Sequence, residues 1–320
     1  VEQRRLGESG LVVSAVGLGC NNLGRPGTAT ESLAGARAVV DRALESGITF
    51  FDAADVYGAP RGRSEELLGQ ALSGKREHAV IATKFGMDMQ GANGPDFAAR
   101  GSRRYVRRAV ESSLRRLGTD WIDLYQLHRP DPMTPLEETL SVLNDLVREG
   151  KIRYVGHCNL AGWQTADAAW TATSAGLTTP VSAQNHYSLL EREAEREVIP
   201  ACTRFGVGII PYFPLANGLL TGKYRKGQEP PSGSRLSGRD RLLADAPWDR
   251  IEHLRAFADK RGLSMIAVAI GWLAAQPSVG SVITGATSPE QVESNARAGQ
   301  WRPSAADLDE IDMICPPTRR

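Results

Sequence analysis

Four polar residues stand at or just past the ends of three short apolar runs: Asp52 and Tyr57 in FFDAADVYG (50–58), Lys84 in VIATKFG (80–86) and His128 in DLYQLHRPD (123–131). Together these residue types can make a phenol give a proton to a carbonyl oxygen while hydride arrives at the carbonyl carbon. A free phenol titrates at about 10, too high for an efficient acid at neutral pH. A nearby ammonium favours the phenolate and is expected to lower that value. Lysine held against apolar walls would lose its own charge, and an aspartate paired with it opposes the loss. The histidine can hydrogen-bond the substrate oxygen or relay a proton. Taken singly, each has a plain structural reading: Tyr57 as a packing aromatic, Asp52 as a cap, His128 as a satisfied core histidine. Lys84 is harder to dismiss, because lysine is seldom buried without a partner.

These residues need a scaffold that gathers the ends of separate runs. Strand-like and helix-like stretches alternate along the whole chain. The runs VSAVGLGC (13–20), ITFFDAA (48–54), AVIATK (79–84), WIDLYQLH (121–128), IRYVGHC (152–158), VSAQNHY (181–187), VGIIPYFP (207–214) and SVITGA (281–286) are short and rich in β-branched or aromatic residues. Each has the length of a strand buried on both faces. Between them lie amphipathic helices: Val106, Val110, Leu114 and Leu117 share one face of 103–118, and Leu136, Leu140, Leu143 and Leu146 share one face of 135–150. Gly118, Gly150 and Gly176 suit left-handed positions at helix ends. Eight strands each followed by a helix predict a (β/α)8 barrel of the α/β class as one domain over 1–320, with reactive groups at the C-terminal ends of the strands. The alternative, an open doubly wound sheet, would favour a GxGxxG at the first strand–helix turn, and GLGCNNLG (17–24) does not match that spacing. The opening RRLGESGLVVS (4–14) predicts a hairpin on the barrel floor, and PSAADLDEIDMI (303–314) predicts an extra C-terminal helix with Ser304 as its N-cap. The segments 224–249 and 86–102 read as long loops, which in compact folds are usually functional or mobile.

The bulk numbers narrow the function classes. The 320 residues are 41 % hydrophobic and 23 % charged, an ordinary globular composition. With 38 basic against 37 acidic residues, the net charge of +1 gives no general attraction to nucleic acid or an anionic membrane. The basic run RRYVRR (103–108) reads as a solvated helix face. No run is long and apolar enough to span a bilayer, and MIAVAIGWLAA (265–275) reads as a buried helix. The start of the chain shows no hydrophobic signal core, so the expected location is cytoplasmic. Cys20, Cys158, Cys202 and Cys315 lack paired short spacing. His78, His157, His186 and His253 show neither HxH nor HExxH. Neither a disulfide framework nor a metal site is expected. His157 and His186 fall at strand ends and could edge the pocket.

The chain resembles the aldo-keto reductase superfamily from end to end. The resemblance rests on RRLGESGLVVSAVGLGC (4–20), SLRRLGTDWIDLYQLHRPD (113–131), REGKIRYVGHCNL (148–160) and PLANGLLTGKY (214–224), in that order and spacing. It implies a barrel that reduces aldehydes or ketones with a nicotinamide dinucleotide, usually NADPH with NADH also open, and without a metal. Its catalytic tetrad falls on Asp52, Tyr57, Lys84 and His128, with Tyr57 as proton donor and Asp52 also near the cofactor. By the same resemblance Asn159 and Gln184 would hold the nicotinamide carboxamide, and Tyr212 would stack on the ring. Pro214, Leu215, Gly218 and Lys223 would line the pyrophosphate. Gly285, Thr287, Gln291 and Asn295 would hold the adenosine end, and the helix starting near Ser288 would offer its N-terminal amides to the 2′-phosphate. Gly19, Cys20 and Asn21 would approach the ribose.

Three positions depart from the family's pattern: Cys158 and Phe213 replace serines, and Ser294 replaces a frequent acidic residue. Phe213 remains at the cofactor, but the serine's contact to pyrophosphate would be lost. No arginine follows Gly285 closely, and Arg235 on the long loop is expected to supply charge instead. A second function is also implied, because some such barrels are cofactor-sensing regulatory subunits like the β-subunits of potassium channels. The sequence has no long N-terminal extension, which tilts the expectation toward a plain enzyme. Substrate choice is expected in loops 22–30, 86–102 and 224–249 and in the tail 315–320. Oligomeric state stays open.

Overall fold

The computed structural model describes residues 1–231, 234 and 236–317. β1 (Gln3–Arg5) and β2 (Val12–Ser14) form an antiparallel hairpin. β3 (Val16–Gly19), β4 (Phe50–Asp52), β5 (Val80–Phe85), β6 (Ile122–Leu127), β7 (Ile152–Cys158), β8 (Ser182–Gln184), β9 (Gly208–Ile209) and β10 (Val282–Gly285) form one parallel sheet in the order β10-β3-β4-β5-β6-β7-β8-β9. The ends of this sheet meet. Ile209 N–H donates to the Ser278 carbonyl at 2.7 Å, Gly280 N–H to Ile209 at 2.9 Å and Ile283 N–H to Pro211 at 3.1 Å. The fold is therefore the (β/α)8 barrel that the alternation implies.

Parallel neighbours need long crossovers, and helices supply them. The helix Arg103–Leu117 buries Val106, Val110, Leu114 and Leu117 and stops at Gly118, whose φ is 62°. Leu136–Arg148 buries Leu140, Leu143 and Leu146. Ser32 caps Leu33–Glu45 by accepting from Gly35 N–H. The final helix, Ala305–Ile314, has Ser304 as its cap, accepting from Asp307 N–H while the Asp307 carboxylate returns to Ser304. The hairpin closes the barrel floor: Leu6, Leu11 and Val13 pack with Phe50, Ala82, Leu124, Ile210 and Ile283 in an inner apolar cluster. Gly7 at its turn needs its φ of 60°, and a Cβ there would lie 2.3 Å from the Gly206 carbonyl.

Two apolar runs are divided more finely than their composition suggests. In 13–20, Val13 and Ser14 belong to the hairpin, Ala15 extends that pairing to Glu2 while its carbonyl accepts from Val282 N–H, and only Val16–Gly19 enters the barrel. In 207–214 the strand stops after Ile209, because Pro211 has no N–H and Phe213 turns left-handed at φ 55°. Among the described residues of the segment 224–249 are the short helix Asp240–Ala244 and the start of the helix Trp248–Lys260. Met265–Ala274 is a largely buried helix. No helix among the described residues is long and apolar enough to cross a membrane.

Candidate active site

The four residues first singled out converge at the C-terminal mouth of the barrel. Asp52 ends β4, Lys84 is the penultimate residue of β5, His128 directly follows β6, and Tyr57 lies in the turn after β4. Lys84 is fully buried. Its Nζ donates to Asp52 Oδ2 at 2.7 Å, to the Ala53 carbonyl at 2.8 Å and to the Tyr57 hydroxyl at 3.4 Å. The second Asp52 oxygen accepts from Gln184 Nε2 at 2.9 Å, so β8 braces the pair across the barrel. The Tyr57 and His128 rings meet edge to face, with centroids 5.8 Å apart.

A second chain of contacts runs along the other side. Asn159, left-handed at φ 59°, donates through Nδ2 to the His128 carbonyl at 3.0 Å. Its Oδ1 accepts from the Tyr212 hydroxyl at 2.8 Å. His186 stacks flat on Tyr212, with centroids 5.3 Å apart and an interplanar angle of 8°. Phe213 stands edge-on to both rings. Beneath Tyr57, the loop 86–102 is pinned by Asn93. Its amide donates to Asp55 at 3.0 Å and accepts from Arg116, which also pairs with buried Glu65 at 2.6 Å.

Burial governs the electrostatics. It works against the Lys84 ammonium, yet Asp52, followed by Tyr57, holds the lysine above its usual pKa. Tyr57 is pushed up to about 12, with burial first and the Lys84 charge opposing it. This reverses the expected lowering. A single cation, itself tied to Asp52 and a carbonyl, does not offset the loss of water around a phenolate. His128 is pushed down to about 3, mainly by burial and then by Lys84 and Arg129, so it is neutral at physiological pH.

A cavity of about 720 Å³ opens over this mouth. Its walls include Gly19, Asn21, Asp52, Tyr57, His128, Asn159, Gln184, Tyr212, Phe213, Pro214, Leu215, Gly218, Lys223, Gly285, Thr287, Gln291 and Asn295. Among the described site residues, fully buried Lys84 does not reach the wall, and neither does Cys20. Cys20 opens a 3-10 turn that directs its thiol to the Leu18 carbonyl in the core, off the cavity wall. Arg235 lies outside the described residues. His157 is buried in β7 away from the cavity, and His186 stands behind the lining residues Tyr212 and Phe213. Arg25, Thr28, Met87 and Tyr224 also line the cavity; sequence reasoning named their loops, 22–30, 86–102 and 224–249, but not the residues. It missed Arg129, for which the available signal was its position directly after His128.

The donor set fits a nicotinamide dinucleotide. Asn159 and Gln184 each have part of the amide held by protein, which fixes their orientation. Gly218, at φ 108°, allows the backbone to pass close to the cavity in a conformation that a side chain would resist. The Gln291 amide oxygen accepts from Thr287 N–H at 2.8 Å, which leaves its amide nitrogen as a donor at the head of the helix Pro289–Ala298.

Comparison with known proteins agrees with this geometry. The model of the Aldo/keto reductase family matches residues 15–315. Versiconal hemiacetal acetate reductase of Aspergillus parasiticus is 38 % identical over 87 % of this chain and 87 % of its own. L-glyceraldehyde 3-phosphate reductase of Escherichia coli (strain K12) is 34 % identical over 98 % of this chain and 92 % of its own. A probable voltage-gated potassium channel subunit beta of Arabidopsis thaliana is 34 % identical over 98 % of this chain and 96 % of its own.

Proposed function

The chain belongs to the aldo/keto reductase family, and from that premise we propose that it reduces aldehydes and ketones with NADPH, with Tyr57 giving the proton. The family makes it an oxidoreductase acting on carbonyls with a nicotinamide cofactor. The finer reading is carried by one observation: Tyr57 lines the cavity, and its hydroxyl lies 3.4 Å from the fully buried Lys84 ammonium.

At neutral pH the Tyr57 phenol keeps its proton until an oxygen beside it gains negative charge. Neutral His128 shares that oxygen as a hydrogen-bond partner. The Lys84 ammonium, locked by Asp52, stabilises the phenolate left behind, and exclusion of water strengthens the effect. A bound reduced nicotinamide supplies the hydride. Asn159 and Gln184 would orient its carboxamide, Tyr212 would cover one face of the ring, and Lys223 would meet the phosphates. Thr287, Gln291 and the helix N-terminus after Ser288 support the 2′-phosphate and hence NADPH over NADH. We propose the whole of 1–320 as one barrel domain.

The test is Tyr57→Phe. The variant should bind NADPH as the wild type does and lose about 10²- to 10⁴-fold in carbonyl turnover, the usual contribution of a positioned general acid. Normal aldehyde reduction by that variant would remove Tyr57 from the role.

The likeness to the Arabidopsis channel subunit favours a second reading, a cofactor sensor. Slow NADPH release with negligible steady-state turnover over a broad carbonyl panel would support the sensor. Sustained NADPH consumption, followed at 340 nm in about the usual assay, would support the enzyme.

A further inference from the structure

Resting on the reductase reading, we infer that the site is built for a carbonyl substrate bearing an anionic group, a carboxylate or a phosphate, and that Arg129 receives that group. Arg129 follows His128 at the end of β6, is exposed and lines the cavity. No hydrogen bond or ion pair engages its guanidinium among the described residues. The nearest acid along the chain, Asp131, is occupied. Its carboxylate accepts from Gly101 N–H at 2.5 Å, from the Thr134 hydroxyl at 2.7 Å and from Met133 N–H at 2.9 Å. Asp52, deeper in the cavity, is held by Lys84 and Gln184. An uncompensated cation thus faces the place where substrate must enter.

The barrel topology separates this arginine from the cofactor's phosphates. The strand order sets β6 four places from β10, diametrically across an eight-stranded barrel. Lys223 follows β9, and Thr287 and Gln291 follow β10. The other lining arginine, Arg25, belongs with them, since it contacts Asn22, which in turn contacts the Ala286 carbonyl. Arg129 instead stands with His128 and Tyr212, the two groups that flank the proposed reaction centre. Burial lowers the His128 pKa first, and the Arg129 charge adds to it; the same charge acts on Tyr212. Met87 and Phe213 contribute apolar wall to the same cavity, and a guanidinium beside apolar walls binds anions more strongly than one in open water. Its planar fork suits two oxygens of either anion.

The experiment compares matched substrates with NADPH: 4-carboxybenzaldehyde against 4-formylbenzamide, and glyceraldehyde 3-phosphate against glyceraldehyde. The wild type should show kcat/KM larger for the anionic member of at least one pair by about 10- to 100-fold, the range of a charge-assisted hydrogen bond. The pair that responds identifies carboxylate or phosphate. In Arg129→Gln the anionic-to-neutral ratio should fall toward one, in Arg129→Glu it should invert, and Arg129→Lys should restore part of it. Because the readout is a ratio within each variant, a general loss of folding or turnover does not mimic the result. Equal rates for both members of both pairs in the wild type would overturn the inference and leave the reductase reading standing. So would an unchanged ratio in Arg129→Gln accompanied by weaker NADPH binding, which would make Arg129 a cofactor group. Failure to reduce any of the four aldehydes would overturn the reductase reading itself, and this inference with it.

Discussion

Lys84 is the residue on which the others depend. Its ammonium ties Asp52, the Ala53 carbonyl and Tyr57 into one cluster with almost no access to water. Replacing it by methionine removes one partner of a buried pair and leaves Asp52 charged without its cation. Lys84→Met should lose about 3–5 kcal/mol of stability, measurable by urea unfolding, together with most carbonyl turnover. Asp52, Lys84 and His128 were legible in the sequence because each closes an apolar run, where a polar residue needs a reason. The direction of the Tyr57 shift was not legible. It depends on how completely the phenol is buried against how far the ammonium is already engaged, and neither can be read from residue spacing. The link between Asp52 and Gln184, 132 positions apart, was hidden for the same reason. Cys20 illustrates the reverse case: its place in a motif was clear, but a 3-10 turn decides which way its thiol faces.

At the scale of elements, the periodic helices and their glycine stops matched the pattern closely, because amphipathicity and left-handed caps are local properties. Strand lengths did not follow the apolar runs, since a proline, a left-handed Phe213 and a hairpin junction at Ala15 end the pairing early. Contacts between elements were also illegible. The helix Arg63–Ala71 approaches Arg103–Leu117 so closely that a Cβ on Gly69 would lie 2.2 Å from the Leu117 carbonyl. Because the obstacle is backbone, Gly69→Ala should destabilise the fold by about 1–3 kcal/mol, seen as a lower Tm. The cap of the last helix offers a milder test. Ser304→Ala removes the hydroxyl that accepts from Asp307 N–H and should cost about 1 kcal/mol in the same measurement.

For the molecule as a whole, pH acts through its interior. His157 is buried in β7, and neither ring nitrogen has a protein partner among the described residues. Burial pushes it down to about 4 from an ordinary 6.5. Between those values the unfolded chain binds more protons than the folded one, so stability falls as the pH drops. The contribution is complete above 6.5 and declines toward pH 4 by roughly 3 kcal/mol. Asp55, whose pKa burial raises, acts with the opposite sign over part of that range. The comparison of wild type with His157→Leu therefore isolates the histidine: the gap in unfolding free energy between pH 7 and about 4.5 should shrink in the variant. The closing strand carries another consequence. β10 lies between β3 and the end of β9, so the chain must be synthesised almost to Gly285 before the first strand gains its second neighbour. Until then a nascent chain on the ribosome displays two bare sheet edges, the feature most prone to mispairing with other polypeptides.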